Sequence, residues 1–218
     1  MAATAFDLLR FAKEPVLGIV RGVTVESLQG LMNAIVSGGL QFVEITLNTP
    51  NALELIEKSA KEYSASLCLG AGTVLSVEQA RSAVSCGARF LVSPTLNEAV
   101  AAYCKQSDIA YFPGALTPSE IEKAWNAGAA MVKVFPAAQM GADYFRQIKG
   151  PFESIRLLAV GGIGPNNIYE YLSAGASGLA LGGSIISPAR MRDKEFSIIQ
   201  KEIKDFLLAV RNFYSNIT

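Results

Sequence analysis

The sequence has no histidine among its 218 residues. A Ser-His-Asp triad, a Cys-His pair and a three-histidine zinc site are therefore excluded, because each of them requires imidazole side chains. Carbonyl chemistry that depends on such a zinc ion is excluded as well. Acid–base catalysis is left to Glu, Asp, Lys, Tyr or Cys side chains, and we expect neither a metal nor another cofactor.

Charged residues are also scarce, at 17% of the chain, and the 19 basic side chains balance the 19 acidic ones. The sequence has no basic patch, which argues against nucleic acid as a partner. The three cysteines, Cys68, Cys86 and Cys104, lack the spacing of metal ligands or redox pairs. Their odd number argues against a framework of disulfide bonds.

Long apolar runs are missing too. Residues 1–13 carry Asp7, Arg10 and Lys13, and no stretch approaches the roughly 18 apolar residues of a membrane-spanning helix. The amino-terminal residues therefore do not resemble a signal peptide. We predict a cytoplasmic protein with no membrane partner.

What the sequence does contain is an alternation of short apolar runs with longer segments of helical periodicity. The short runs have the length of strands, and half of all residues are hydrophobic. The predicted strands are Val16–Val20, Gln41–Leu47, Leu67–Ala71, Arg89–Val92, Ile109–Phe112, Ala130–Val134, Arg156–Val160 and Gly178–Leu181. The predicted helices lie near 25–37, 51–62, 76–85, 96–105, 118–126, 142–149, 165–173 and 194–213.

Several of these helices are followed by a glycine, after which a strand begins at once. The glycines are Gly39, Gly87, Gly128 and Gly175. No linker divides the chain, so we interpret residues 1–218 as one domain. Eight strands alternating with eight helices predict an α/β fold, a (β/α)8 TIM barrel with an extra N-terminal helix. A doubly wound open sheet is the alternative, but such sheets usually have five or six strands, and the chain has no G-x-G-x-x-G motif.

Three charged residues stand at or beside the carboxyl ends of predicted strands, where barrel enzymes carry out their chemistry. They are Arg21, Glu44 and Lys133. Side chains alternate between the two faces of a strand. The Val and Ile residues next to Glu44 and Lys133 suit packing against helices, which leaves the two charged side chains facing the lumen.

The Lys133 and Glu44 pair permits two interpretations. One is a buried structural ion pair, which often stabilises a fold no better than apolar residues do. The other is a Schiff-base lysine with a carboxylate that moves protons. A lysine of ordinary pKa is neutral in about one molecule in 2,500 at pH 7, and burial among apolar neighbours lowers that pKa. The neutral amine attacks a ketone, and the resulting iminium accepts the electrons of a breaking C–C bond without a metal.

Two glycine pairs, Gly161-Gly162 and Gly182-Gly183, follow the last two predicted strands, and Ser184 comes directly after the second pair. Free backbone N–H groups at these positions form the usual phosphate site of a TIM barrel. Plain turn formation is the alternative explanation for each pair. Because both pairs occur at the expected positions, we predict a phosphorylated ligand.

Eight short segments follow one another in an order that is specific only in combination. They are Arg21-Gly22, the run Glu44-Ile45-Thr46-Leu47-Asn48-Thr49-Pro50, Gly70-Ala71-Gly72-Thr73-Val74, Ser93-Pro94, Pro113-Gly114, Lys133-Val134-Phe135-Pro136, Gly161-Gly162 and Gly182-Gly183-Ser184. Together they resemble the class I 2-keto-3-deoxy-6-phosphogluconate (KDPG) aldolase family. That family also includes 4-hydroxy-2-oxoglutarate (KHG) and 2-dehydro-3-deoxy-6-phosphogalactonate aldolases. The resemblance extends from about Val16 to Pro188.

The resemblance implies a homotrimeric barrel that cleaves a phosphorylated keto-deoxy sugar acid into pyruvate and glyceraldehyde 3-phosphate. Lys133 would form the Schiff base, and Glu44 would move protons at the reacting carbons. Thr73 would help to hold the carboxylate of the pyruvyl group, and Pro94 and Phe135 would line its methyl side. The polar end and the phosphate would be bound by Arg21, Gly161, Gly162, Gly182, Gly183 and Ser184.

Two positions depart from the pattern of members that act on the gluconate substrate. Many members have arginine where this chain has Asn48, and Val160 stands where a threonine is common in them. Both residues resemble the galactonate branch, and Arg21 would then carry more of the anion binding. The configuration of the substrate at C4 therefore stays open.

Two other functions also stay open on the sequence. A phosphate-binding isomerase or synthase of the same fold would bind phosphate without covalent capture of pyruvate. A non-catalytic sensor would keep its ligand affinity after loss of Lys133.

Overall fold

A computed structural model describes residues 6–216, in which strands and helices alternate as predicted. The strands are β1 (Val16–Val20), β2 (Phe42–Thr46), β3 (Cys68–Gly72), β4 (Phe90–Val92), β5 (Ala110–Phe112), β6 (Gly114–Ala115), β7 (Val132–Val134), β8 (Leu157–Val160) and β9 (Gly178–Leu181). The helices are α1 (Leu8–Lys13), α2 (Val25–Gly38), α3 (Ala52–Tyr63), α4 (Val77–Ser85), α5 (Glu98–Gln106), α6 (Pro118–Asn126), α7 (Ala137–Lys149), α8 (Ile168–Ser173), α9 (Pro188–Arg192) and α10 (Phe196–Ser215). The predicted domain of residues 1–218 also includes residues 1–5 and 217–218, which lie outside the described residues.

All strand pairs are parallel, in the order β5-β4-β3-β2-β1-β9-β8-β7-β6. The two ends of this order, β5 and β6, are separated in the chain by Pro113 alone. They are two parts of one strand, so the sheet closes on itself as an eight-stranded barrel. The predicted TIM barrel is confirmed, and the open doubly wound sheet is excluded.

The fifth barrel strand is interrupted at Pro113, which the sequence analysis does not anticipate. Proline has no N–H to donate to a neighbouring strand, so the ladder breaks at this residue. The Pro113 carbonyl still accepts a hydrogen bond of 2.9 Å from the backbone N–H of Lys133. The Pro113 carbonyl therefore helps to fix the position of Lys133 on β7.

Helix boundaries follow local signals. The side chains of Thr24, Ser76, Asn97 and Thr117 cap the N-termini of α2, α4, α5 and α6. The four predicted glycines after helices all have a positive φ, between 94° and 105°. These glycine helix ends are confirmed.

Three helices differ from the prediction. α7 begins at Ala137 rather than near 142, and Gly141 interrupts it with a φ of 74°. α8 begins at Ile168 rather than near 165, because residues 164–167 form a turn. α9, at Pro188–Arg192, is a short helix that is not among the predicted helices. Pro188 at its first position and the cap from Ser187 are the start signals that were overlooked.

The C-terminal helix α10 packs against α2 and α8. Its buried face consists of Ile199, Ile203, Phe206, Leu207 and Val210. The helix predicted near 194–213 is thereby confirmed, and its periodicity also predicted Ile199, Ile203, Phe206, Val210 and Phe213 on one face. Phe213 is only partly buried. Among the helices of residues 6–216, none has both the length and the apolar composition to cross a membrane.

Apolar side chains form two cores, one on each face of the sheet. Val43 of β2 and Val132 of β7 belong to the outer core, between the sheet and the helices. Phe42 of β2 and Met131, just before β7, belong to the inner core in the lumen. Because side chains alternate, Glu44 and Lys133 share the lumen face, as predicted.

Aromatic side chains close the amino-terminal end of the lumen. The ring centroids of neighbouring members lie 5.0–6.3 Å apart, and the rings meet edge-on or tilted. We call this cluster the aromatic plug, and it consists of Phe6, Phe11, Phe42, Phe90 and Phe112. Phe11 lies on α1, the predicted extra N-terminal helix. The lumen is thus filled at one end, and the charged residues lie towards the other.

Candidate active site

A cavity of about 390 Å³ opens at the carboxyl ends of the strands. The binding residues predicted from the sequence, together with Lys133, all line it. They are Arg21, Thr73, Pro94, Lys133, Phe135, Gly161, Gly162, Gly182, Gly183 and Ser184. The sequence analysis did not include Ile19, Ile163, Ala180, Ile186 and Pro188, which also line the cavity. They are apolar residues from strands and loops of the same end, and only the fold brings them together.

Lys133 and Glu44 lie on opposite sides of the lumen. Three barrel strands separate β2 from β7 in either direction round the barrel, counting β5 and β6 as one. Glu44 is 1% exposed and Lys133 is 7% exposed. Two ionisable groups are thus buried on the same face of the sheet, at the end where the cavity opens.

Burial sets the protonation behaviour of both groups, because removal from water disfavours a charged form. It raises the pKa of the Glu44 carboxyl from 4.5 to about 7, against the lowering effect of the charges on Lys133 and Arg21. It also lowers the pKa of the Lys133 amine, against the raising effect of Glu44, and the charge of Arg21 lowers that pKa further. At neutral pH, Glu44 is therefore present both as acid and as carboxylate.

The Glu44 carboxylate occupies space that a neighbouring glycine leaves open. β2 and β3 pair so that Thr46 is opposite Gly72, and a Cβ built at Gly72 would overlap Glu44 Oε1. Glu44 Oε2 is buried and has no hydrogen-bond partner within residues 6–216. An unpaired buried oxygen is costly. Glu44 does not line the cavity itself, whereas Lys133, on the same face of the sheet, does.

Phe135 and Arg21 form parts of the cavity rim. The Lys133 Nζ atom lies 5.3 Å from the centroid of the Phe135 ring. Phe135 itself is 44% exposed. Arg21 is exposed and makes no ion pair with any residue in the described part of the chain. An unpaired cation beside the cavity suits an anionic ligand.

A buried threonine connects the loops that follow β1 and β2. The backbone N–H of Gly22 donates to Thr49 Oγ1 at 2.9 Å, and Thr49 Oγ1 is 3.2 Å from Thr46 Oγ1. This connection fixes the backbone next to Arg21. Thr49 belongs to the run Glu44–Pro50, but no local signal predicts this role, because its partner Gly22 is 27 residues away.

Thr73 has a φ of 57°, a left-handed conformation that is uncommon for a residue with a Cβ. A chain of hydrogen bonds fixes the next residue, Val74. Tyr111 donates its hydroxyl proton to Ser93 Oγ at 2.9 Å, and Ser93 donates to the Val74 carbonyl at 2.6 Å. The sequence analysis missed Tyr111, which lies on β5, far from Thr73 in the chain.

The two glycine turns lie side by side at the cavity. Gly161 and Gly162 have φ values of 95° and 78°. The Asn167 side chain accepts from the Gly164 N–H and donates to the Gly162 carbonyl, both at 2.9 Å. Within residues 6–216, the N–H groups of Gly162, Gly183 and Ser184 donate to no acceptor. These donors are therefore free to bind an anion.

The two positions that depart from the gluconate pattern are placed differently. Val160 lines the cavity at the carboxyl end of β8 and is 3% exposed. Asn48 is exposed and does not line the cavity. Val160 can therefore contact a ligand in this cavity, whereas Asn48 does not reach it.

A family model described as KDPG and KHG aldolase matches residues 9–202. The chain belongs to that family. The resemblance predicted from the sequence is thereby confirmed, and this aldolase is a lyase. Among residues 6–216, it has no cluster of three or more His, Cys, Asp or Glu side chains that could hold a metal ion.

Known relatives and a solved structure agree with this assignment. The aldolase is 38% identical over 188 residues to the 2-dehydro-3-deoxy-phosphogluconate aldolase of Treponema pallidum (strain Nichols), covering 86% of this chain and 88% of the relative. It is 32% identical over 174 residues to the 2-dehydro-3-deoxy-6-phosphogalactonate aldolase of Escherichia coli (strain K12), covering 79% of this chain and 85% of the relative.

The fold of this aldolase is similar to that of the KDPG aldolase of Legionella pneumophila with pyruvate captured at low pH as a covalent carbinolamine intermediate. That comparison gives a TM-score of 0.83 and 28% identity, covering 90% of this chain and 95% of the other.

Proposed function

We propose that this protein is a class I, metal-independent aldolase that cleaves 2-keto-3-deoxy-6-phosphogluconate into pyruvate and glyceraldehyde 3-phosphate. The observation that carries the proposal is the burial of Lys133 and Glu44 on opposite sides of one lumen, beside a cavity with free N–H donors. The carbinolamine with pyruvate in the Legionella pneumophila relative supports covalent chemistry on an amine.

Lys133 supplies the nucleophile. Its lowered pKa increases the neutral fraction of the amine, which attacks the C2 carbonyl of the substrate. The carbinolamine then loses water and becomes an iminium. When the C3–C4 bond breaks, its electron pair moves into the iminium and forms an enamine.

Glu44 moves the protons. As a carboxylate it takes the proton of the C4 hydroxyl group, so that glyceraldehyde 3-phosphate can leave. As an acid it returns a proton to C3, which becomes the methyl group of pyruvate. Its pKa of about 7 suits both steps, because neither form is rare near neutral pH. Hydrolysis of the iminium then releases pyruvate and the free Lys133 amine.

The remaining residues bind and orient the substrate. Thr73, held in its strained conformation, hydrogen bonds to the substrate carboxylate. Pro94 and Phe135 line the side of C3, the carbon that becomes the methyl group of pyruvate. The phosphate is bound by N–H groups of the turns at Gly161-Gly162 and Gly182-Gly183-Ser184, with Arg21 adding positive charge to the same end.

The C4 epimer, the phosphogalactonate substrate, is a second candidate. Val160 lines the cavity and cannot form a hydrogen bond with its side chain, so it gives no advantage to an epimer that needs one. We propose that both epimers are cleaved. 4-Hydroxy-2-oxoglutarate is a third candidate, because the matched family also includes KHG aldolases.

Borohydride trapping with pyruvate tests the function, because borohydride reduces only an iminium. We expect the adduct on Lys133 by peptide mass mapping and no adduct in Lys133→Met. Lys149 is a matched control, since burial also lowers its pKa and it lies outside the cavity. Lys149→Met should still be trapped on Lys133, and a chelator should not reduce activity. An adduct on another lysine, or none, would contradict the proposal.

We further propose that the aldolase is a homotrimer, as the family resemblance implies. Large apolar side chains are exposed at Leu75 (51%), Phe135 (44%) and Met140 (37%), and Phe135 also lines the cavity. Contacts between copies would cover such a surface. Sedimentation equilibrium should give three times the chain mass of 23.2 kDa. A monomer or a dimer would contradict the trimer without affecting the proposed reaction.

A further inference from the structure

The loop after β9 is held from behind by an ion pair that lies outside the cavity. Arg190 Nη1 donates to the Ile185 carbonyl at 3.1 Å and to the Ser184 carbonyl at 3.5 Å. Glu202 of α10 binds the same guanidinium with both oxygens, at 2.6 and 2.8 Å. Neither Arg190 nor Glu202 lines the cavity.

The position of this pair has a consequence for the glycine turn. The N–H groups of Ile185 and Ile186 both donate to the Gly182 carbonyl, at 2.9 and 2.7 Å. In a trans peptide, the carbonyl of one residue and the N–H of the next point in opposite directions. With the Gly182 carbonyl held inside the turn, the Gly183 N–H points away from it, and Gly183 lines the cavity. Fixing residues 184–186 therefore also fixes the direction of a free donor.

The ion pair has the geometry needed for this task. The Arg190 side chain is 25% exposed and that of Glu202 is 32% exposed, so the pair is partly shielded from water. Two parallel N–H···O contacts hold the guanidinium in one orientation, which a single contact does not. By contrast, the exposed pair Lys201–Asp205 on the same helix has one contact of 2.7 Å and holds no loop.

We propose that Arg190 and Glu202 are positioning residues for the phosphate group of the substrate. Glu202 orients Arg190, and Arg190 holds the carbonyls of Ser184 and Ile185, so that the Gly183 and Ser184 N–H groups are preorganised for an anion. The inference rests on the proposed phosphate site, and it assigns a function to two residues that do not touch the substrate.

The test compares substrates with and without phosphate. In Glu202→Gln we expect KM for the phosphorylated sugar acid to rise about tenfold, which corresponds to about 1.4 kcal/mol of binding, with kcat changed by less than about twofold. The kcat/KM for the same sugar acid without phosphate, and the exchange of pyruvate methyl protons in deuterated water, should stay within about twofold of wild type. Arg190→Met should give the same pattern, and Arg190→Lys should restore part of the loss, because an ammonium can still donate to the carbonyls.

Asp205→Asn is the matched control, since it removes an ion pair from α10 without touching the loop, and it should leave every parameter unchanged. An unchanged KM in both Glu202→Gln and Arg190→Met would overturn the proposal. So would equal losses with and without phosphate, because they would indicate a general structural effect. A lower KM in Glu202→Gln would indicate that Arg190 binds phosphate directly, which also contradicts a positioning role.

Calorimetric titration with inorganic phosphate separates this inference from the proposed function. Weaker phosphate binding in the two variants supports the positioning role even if wild type fails to exchange pyruvate protons. Failure of exchange in wild type would contradict the aldolase mechanism alone.

Discussion

The two ends of the barrel lumen are built from the same strands but have opposite properties. At the amino-terminal end, the aromatic plug fills the space with residues such as Phe11 and Phe90, both 0% exposed. At the carboxyl end, Glu44 and Lys133 are almost as deeply buried, yet both are ionisable, and Lys133 lines an open cavity. The two ends lie a few residues apart along each strand.

This difference indicates that the aromatic plug stabilises the fold, whereas the buried ionisable groups reduce its stability. Burial of aromatic surface stabilises the fold. Burial of a carboxyl group and an amine opposes folding unless their charges are compensated, and their shifted pKa values record that opposition. Mutations at the plug should therefore change stability and spare the chemistry, whereas mutations at the charged end should do the reverse.

The largest effect is expected for Glu44→Gln. The amide cannot accept a proton as a base, so exchange of pyruvate methyl protons in deuterated water should slow by about 10²–10⁴-fold. Borohydride trapping on Lys133 should persist at least in part. Glu57→Gln, a change of an exposed carboxylate in an ion pair on α3, should exchange at the wild-type rate. Normal exchange in Glu44→Gln would make Glu44 a structural partner of Lys133.

Phe11→Ala tests the contribution of the aromatic plug to stability. Truncation of a fully buried phenylalanine typically costs about 3–5 kcal/mol, which urea unfolding at pH 7 would measure. Leu9→Ala on the same helix is the control, because Leu9 is 80% exposed and should change stability by less than about 0.5 kcal/mol. Below the unfolding transition, the exchange rate of Phe11→Ala should match wild type. A large loss of exchange in the folded variant would contradict the separation of the two ends.

The pH dependence tests the desolvation of Glu44 directly. A base with a pKa of about 7 loses its carboxylate form as the pH falls, so kcat/KM for exchange should drop about tenfold per pH unit below 7. From pH 7 to 5 the expected loss of kcat/KM is about fiftyfold, because half of the carboxylate form is already protonated at pH 7. Above the pKa we expect a plateau. In Glu44→Gln this fall of kcat/KM below pH 7 should be absent. A bend near pH 4.5 would mean that the carboxyl behaves as if exposed to water.

The smallest effect concerns Val160, at the boundary between the inner core and the cavity. We expect kcat/KM for the two C4 epimers to lie within about tenfold of each other in wild type. Val160→Thr adds a hydroxyl group and should favour the gluconate epimer by about two- to twelvefold, the value of one hydrogen bond. Val92→Thr makes the same change in the inner core away from the cavity and should not alter the epimer ratio. The contrary result is a wild-type preference above a hundredfold for the gluconate epimer, with no change in Val160→Thr. That result would show that residue 160 does not determine epimer specificity.

The charged end could be predicted from the sequence because its signals are local. Alternation along a strand places Glu44 and Lys133 in the lumen, and strand ends place Arg21 and the glycine pairs around it. The hydrogen bond from Tyr111 to Ser93 joins β5 to the residue that follows β4, and the ion pair of Arg190 with Glu202 joins two helices. No periodicity or motif records such contacts, so they follow only from the closed barrel.

The aromatic plug escaped prediction for the same reason. Phe6 and Phe11 come from the chain before β1, whereas Phe90 and Phe112 come from strands on the far side of the barrel. Each is an ordinary apolar residue in its own segment, and their convergence is a property of the assembled sheet. The interruption at Pro113 was overlooked although its signal is local, since proline lacks the N–H that a continuous strand would use.

Gly72 has a meaning for sequence comparison that its backbone alone does not suggest. Its φ is not among the positive values, so an alanine could adopt the same backbone conformation. The carboxylate of Glu44 occupies the volume that a methyl group at 72 would need, so alanine would require that side chain to shift. We therefore expect an alanine or serine at 72 to displace the Glu44 carboxylate from this position. In any barrel of this kind, a side chain at this position of β3 would indicate that a glutamate on β2 is absent or takes a position different from the one seen here.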